Sequence, residues 1–227
     1  MHYPIPGVTF GTKHSFTDWG VYWNGTHIES PEPQTALIEV PFRNGLLDMT
    51  KSLTDKIFYK NRTIKFDFVV GDNSLSWSDL CSKILSDIHG QGLHVVLDTD
   101  PAWYWEAYTC TVDEPETEEG IGTFTIECNC APYKRKNVLT SVEVSVYGHD
   151  IEETFTNSRM EVNPTFVTDQ AVEVQWTPEG GQTITKIMQP GTHVYDDIEF
   201  KYGDNTLLFD FIEEYATVVV SYREGSL

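Results

Sequence analysis

Seven histidines, four cysteines and 35 carboxylates are the side chains that could carry chemistry in this chain of 227 residues. A structural or catalytic metal centre gathers its ligands at short intervals such as Cys-x-x-Cys or His-x-x-x-His. His2, His14, His27, His89, His94, His149 and His193 form no such interval, and neither do Cys81, Cys110, Cys128 and Cys130. Phosphate transfer would need a glycine-rich loop, and acyl transfer a Gly-x-Ser-x-Gly elbow or a flanked nucleophilic cysteine. The chain has none of these. Two carboxylates could be drawn as the acid and base of a glycosidase, but with 35 to choose from such a pair is a coincidence. The doublets Glu152-Glu153 and Glu213-Glu214 read as solvated turns. No catalytic residue, metal or cofactor is expected.

The remaining candidates are thiols and aromatic rings. Cys128 and Cys130 share a face of the strand pattern Phe124, Ile126, Cys128, Cys130. Residues two apart on a strand lie roughly 6.5–7 Å apart, too far for an easy disulfide. Buried free thiols are therefore expected, which suits assembly in a reducing cytoplasm. Trp103-Tyr104-Trp105 admits three readings: a sugar-stacking platform, an interface anchor, or a core pair packed beneath a helix. Trp176 and Tyr195 are the candidates for stacking on a glycan.

Charge narrows the function classes. A net charge of −20, spread along the chain, would repel nucleic acid phosphates, although DNA could slide past such a surface without sticking. No run approaches the ~20 apolar residues that span a bilayer. The start, Met1-His2-Tyr3-Pro4-Ile5-Pro6, shows no basic region followed by an apolar stretch, so no secretory signal is expected. An apolar fraction of 40% with 13% aromatics suffices for a packed core.

Strands must position these residues. Period-two alternation runs through Ile64, Phe66, Phe68 and Val70, through Val142, Val144 and Val146, through Val172, Val174 and Trp176, and through Val218, Val220 and Tyr222. One segment differs: Trp77, Leu80, Ile84 and Ile88 recur at helical steps, Ser76 with Asp79 resembles a capping box, and Gly90 is a plausible stop. A helix over about 75–89 follows. In residues 35–50, Ala36, Ile38 and Val40 alternate as a buried strand face, Pro41 ends the ladder, and Asn44-Gly45 supplies a tight reversal. Asp113–Gly122 reads as a solvated hairpin loop, and Glu179-Gly180-Gly181, Gln189-Pro190-Gly191 and Gly203-Asp204-Asn205 as turns. The composition breaks at Ala131–Lys136, the one local cluster of three basic residues, so the domain boundary falls between 1–133 and 134–227. The second domain is all β, a small two-sheet sandwich by its turn spacing.

Three motifs, taken in order, resemble one family. They are Phe10-Gly11-Thr12-Lys13-His14-Ser15-Phe16 with Asp18-Trp19-Gly20, then Thr35–Thr50 with its Arg43-Asn44-Gly45 turn, and Tyr202–Leu207 before the closing Tyr222-Arg223-Glu224-Gly225-Ser226-Leu227. Asn163-Pro164 also fits. The family is the distal tail protein (Dit) of siphophages and prophages of Gram-positive bacteria, in its short form. The resemblance implies a mostly β fold, an N-terminal β-sandwich with one α-helix followed by a galectin-like β-sandwich projecting outward. It implies a virion structural protein, a baseplate hub built as a homohexamer in one ring or two rings back to back. It implies as partners the tail tube protein, a tail-associated fibre or lysin protein, and receptor-binding or baseplate proteins. DNA would pass an acidic lumen without being bound, and assembly would take place in the host cytoplasm. On this reading the subunit interface is expected at Phe10, Lys13, His14 and Phe16 and at Arg43, Asn44 and Leu46. The alternative reading is a carbohydrate-binding module that holds cell-wall polysaccharide on Trp176 and Tyr195.

Overall fold

Strands follow the period-two alternation through most of the chain, and the Trp77–Ile88 helix interrupts it where the period changes. A computed structural model describes residues 5–52, 56–71, 73–113, 116–118, 121–147, 150–211 and 215–227. His2, His149 and the Glu213-Glu214 doublet lie outside the described residues. The chain divides into two units, Met1–Lys134 and Arg135–Leu227.

The first unit opens with β1 (Val8–Phe10), β2 (Lys13–His14), the short helix α1 (Ser15–Trp19) and β3 (Tyr22–Ile28). Next come β4 (Leu37–Glu39), β5 (Leu46–Asp48), β6 (Arg62–Val70) and the helix α2 (Trp77–Ile88). It continues with β7 (Leu93–Leu97), β8 (Trp103–Val112), β9 (Glu116–Glu118) and β10 (Ile121–Lys136), whose last residues lie past the division. One sheet runs in the order β2-β1-β7-β8-β10-β6-β3, with β9 added to β10. In a flat sheet, β1 and β6 would stand four strand spacings apart, roughly 19 Å. Instead Phe10 on β1 lies 5.4 Å from Phe66 and 6.2 Å from Phe68, centroid to centroid, on β6. The sheet must fold back on itself to bring these rings together, which makes a sandwich from a single sheet.

Helix α2 buries Leu80, Ile84 and Ile88. Ser76 caps its start, its Oγ accepting from the Asp79 amide at 3.2 Å. Gly90 takes the left-handed φ of 77° just past its end. The Trp77 ring lies over Gly122, where a Cβ would sit 2.2 Å from the indole.

The second unit contains β11 (Thr140–Tyr147), β12 (Ile151–Asn157), β13 (Thr165–Thr168), β14 (Val172–Trp176) and β15 (Ile184–Met188). It ends with β16 (Gly191–Val194), β17 (Gly203–Phe211), β18 (Tyr215–Tyr222) and β19 (Gly225–Ser226). Two antiparallel sheets form, β11-β18-β13-β16 and β12-β17-β14-β15. Phe200 packs 5.1 Å from Tyr222 of one sheet and 5.4 Å from Phe155 of the other, so the core fills the space between them.

Several expectations need correction. Ala36 and Ile38 are exposed, because β4 pairs only with β5 and neither core includes it. In the hairpin loop Phe42, not Asn44, is the non-glycine residue with positive φ (65°). Gly203-Asp204-Asn205 opens β17 rather than making a turn, and Glu152-Glu153 lies within β12. At the basic cluster β10 runs unbroken through Pro132 to Lys136, and the division between the two units falls within the same cluster, after Lys134. The expected loop at Asp113–Gly122 contains β9, whose Glu116–Glu118 pair with Ile121–Thr123.

Candidate assembly surface

The 35–50 segment forms an antiparallel hairpin in the register Leu37↔Asp48, Ile38↔Leu47, Glu39↔Leu46. Its strands are fastened below the paired residues by Met49 N to Ala36 O at 2.8 Å and Ala36 N to Thr50 Oγ1 at 3.1 Å. Asp48 accepts from the Thr50 amide at 2.9 Å, and hydrogen bonds from Thr50 hold its carboxyl below the usual carboxylate range. Further out on both arms, Gln34 N bonds Phe58 O and Lys60 N bonds Glu32 O. These bonds make the hairpin the tip of a longer arm reaching back to residues 32–34 and 58–60.

What the hairpin exposes is apolar. Leu37 is 52% exposed and Ile38 is 50% exposed, on opposite faces of one strand. Leu46, Met49, Ile57 and Phe58 are exposed too, and Phe42 at the loop is entirely so. A lone two-stranded ribbon is marginal in water, and contiguous exposed apolar surface marks a place of contact. Phe42 adds backbone strain, since a left-handed φ is unfavourable for a residue with a Cβ. Arg43 and Asn44 are exposed beside it.

The N-terminal candidates serve the unit itself. Phe10 is 1% exposed and stacks on Trp19 at 5.8 Å, so it is a core residue and leaves the expected interface set. His14 caps α1: its Nδ1 accepts from the amides of Phe16 (3.2 Å) and Thr17 (3.1 Å). Two donors at Nδ1 place the ring proton on Nε2, which donates to Asp98 Oδ2 at 3.0 Å. Asp98 also accepts from the Gly7 amide at 2.9 Å. Phe16 is half-buried with its ring 5.3 Å from Tyr22, and Lys13 is half-buried on β2. The structure thus separates the two expected patches, and the exposed one is the hairpin.

The glycan-stacking pair is altered in the same way. Trp176 is 4% exposed within the second core, so its face is closed to a sugar. Alternation sets it on the same face as Val172 and Val174, and that face is the buried one. Tyr195 is half-buried, with His193 parallel at 6.0 Å and Lys186 Nζ 5.6 Å from its ring. Burial raises its phenol above the ordinary value. Trp105 is a core residue, while Trp103 is half-buried with Lys134 Nζ 5.1 Å from its ring. Lys134 in turn pairs with Asp100 at 2.7 Å.

Glu224 stands in the closing Tyr222–Leu227 motif, but the sequence reading assigned its carboxylate no role. Lys136, Ser158 and Thr140 all donate to it. These partners lie between 66 and 88 residues away along the chain, so local pattern carries no sign of them. The site is fully satisfied and structural. Among the described residues, no three His, Cys, Asp or Glu side chains are grouped to hold a metal, and no helix is long and apolar enough to cross a membrane.

A mostly β chain of two units, the first carrying a helix on its sheet, has the fold of phage tail hub proteins. One solved structure that it resembles is the crystal structure of SPP1 Dit (gp 19.1), described as a paradigm of the hub adsorption apparatus in phages infecting Gram-positive bacteria. The match has a TM-score of 0.65 and covers 98% of this chain and 100% of that one, at 14% sequence identity. No family model matches the chain, and no curated protein does.

Proposed function

We propose that this chain is a non-enzymatic subunit of a phage tail tip, a hub that closes into a hexameric ring between the tail tube and the fibre or receptor-binding apparatus. The observation that carries this reading is likeness in fold to a phage hub protein over 98% of this chain and 100% of that one. The exposed apolar hairpin supports it. A head-to-tail contact between identical copies closes a ring when the rotation allows, and it buries in each copy what a single copy exposes. The interface is proposed at Arg43, Asn44 and Leu46 with Phe42. A net charge of −20 per copy would make the lumen electronegative, so that DNA passes without adhering. Neighbours are the tube protein, the fibre or lysin protein and side baseplate proteins, and the ring belongs to the virion tail.

Native mass spectrometry over a concentration series tests this. A hexamer is expected, and Arg43→Glu should shift it toward monomer while the circular dichroism spectrum stays unchanged. A chain that remains monomeric at all concentrations, and is missing from tails by immuno-electron microscopy, overturns the reading. A hexamer that survives Arg43→Glu removes the hairpin from the interface. The polysaccharide-binding alternative is weakened by the burial of Trp176 and by the basic and aromatic neighbours covering Tyr195.

A further inference from the structure

We infer that Cys110 and Cys128 form a modification site, a dithiol that a small hydroperoxide converts to a cross-strand disulfide within the first unit. The inference rests on strand geometry and stands apart from the tail-hub reading.

Cys110 lies on β8 and Cys128 on β10, which are hydrogen-bonded neighbours in the sheet. Asp113 N donates to Thr125 O across this pair, and that register carried back along both strands sets Cys110 opposite Cys128. The backbone of Cys110 bonds away from β10: its N–H donates to Gln91 O at 2.9 Å and its carbonyl accepts from Gly90 N at 2.7 Å. Toward β10 the pair is therefore a non-hydrogen-bonded one, where facing Cα atoms stand about 4.5 Å apart. That spacing falls inside the disulfide range of roughly 4.4–6.8 Å. The two Sγ atoms are already 3.1 Å apart. Cys130 is different: its Sγ faces the Cys128 carbonyl at 3.6 Å, and two residues along one strand is the wrong geometry for a bridge.

The pair is also asymmetric. Cys128 donates its S–H to the Cys110 sulfur, which holds the Cys110 thiol below its ordinary value and pushes that of Cys128 up. Burial pushes Cys130 up to about 12. Cys110 is then the attacking sulfur. As a thiolate it takes one peroxide oxygen, the O–O bond breaks, and one water leaves with a thiol proton. The sulfenic acid so formed is displaced by the Cys128 sulfur, the S–S bond closes, and the hydroxyl leaves as the second water with the other proton. Two thiols are oxidised by two electrons, and one peroxide is reduced to two waters. Both sulfurs are buried, and hydrogen peroxide, close to water in size, reaches them through local opening of the sheet. The bond would tie two interior strands and close the β8–β10 hairpin covalently.

Peptide mapping of the folded chain after hydrogen peroxide treatment, with free thiols alkylated under denaturing conditions, decides it. The expected result is the loss of two hydrogens, a linked Cys110–Cys128 peptide, alkylated Cys81 and Cys130, and restoration by dithiothreitol. Cys81→Ser should leave the link intact and Cys128→Ser should abolish it. Should either variant misfold, the wild-type map still decides. The inference is overturned by full alkylation of Cys110 and Cys128 after treatment, by sulfinic acid at either one, or by a Cys128–Cys130 link.

Discussion

Glu224 shows what a single carboxylate does when it is drawn into a strand junction. Burial pushes its carboxyl up, but hydrogen bonds from Lys136, Ser158 and Thr140 with the Lys136 charge outweigh that and hold it below the ordinary value of 4.5. A depressed carboxyl stabilises the fold at pH above its unfolded value, and the stabilisation is lost as pH falls through the folded one. Acid should therefore loosen the second unit. Glu224→Gln is expected to cost about 1–3 kcal/mol near neutral pH, because Lys136 loses its charged partner. The variant should also show a flatter loss of stability below pH ~4.5 in urea titrations. A variant as stable as wild type at pH 7 would deny the network this role. The residue scale was also where the sequence misled most. Phe10, in a turn motif rich in polar neighbours, read as surface; the sheet's fold-back, invisible to local pattern, turns it into the core. Trp176 differs: it shares the face of Val172 and Val174, so alternation already set it with the apolar side that the sandwich buries.

At the scale of elements, legibility followed periodicity. Helix α2 was readable to within two residues, since its apolar spacing, its Ser76 cap and its Gly90 stop all agree. What α2 packs on was not readable. Trp77 rests on Gly122, and a methyl group there has no room. Gly122→Ala should lower the first unit's stability by roughly 1–3 kcal/mol through overpacking, measurable as a shifted denaturant midpoint with an unchanged slope. If stability is unchanged, Trp77 has another place to go. Pro132 does not end β10: it lacks a donor, yet the strand continues through it, because a strand tolerates proline where its N–H is not needed. The hairpin was seen in sequence, but its burial was misjudged, since Ala36, Ile38 and Val40 alternate as a core face would. That same alternation is what an interface strand shows.

The whole molecule has two separate hydrophobic cores: one built from residues between Val8 and Cys130, the other from Val144 to Tyr222. Among the described residues, no buried one belongs to both. Calorimetry should accordingly resolve two transitions. Trp176→Ala should lower one of them by an amount equivalent to about 3–5 kcal/mol and leave the other in place. A single transition that moves as a whole would mean the units unfold as one. The mostly β class and the lone helical cover were legible because each strand and helix carries its own pattern. The proposed ring has no such pattern of its own, because a contact between copies would join surfaces whose complement lies on another chain.

Phe42 extends that thought. In a solitary copy its ring sits wholly exposed on a left-handed backbone, two liabilities that none of the described residues relieves by covering it. Neighbours that enclosed the ring would relieve the first and hold the second in place. The loop tip would then act like a spring latch, uncomfortable when free and settled once engaged, so that a subunit gains most at the moment it finds its mate.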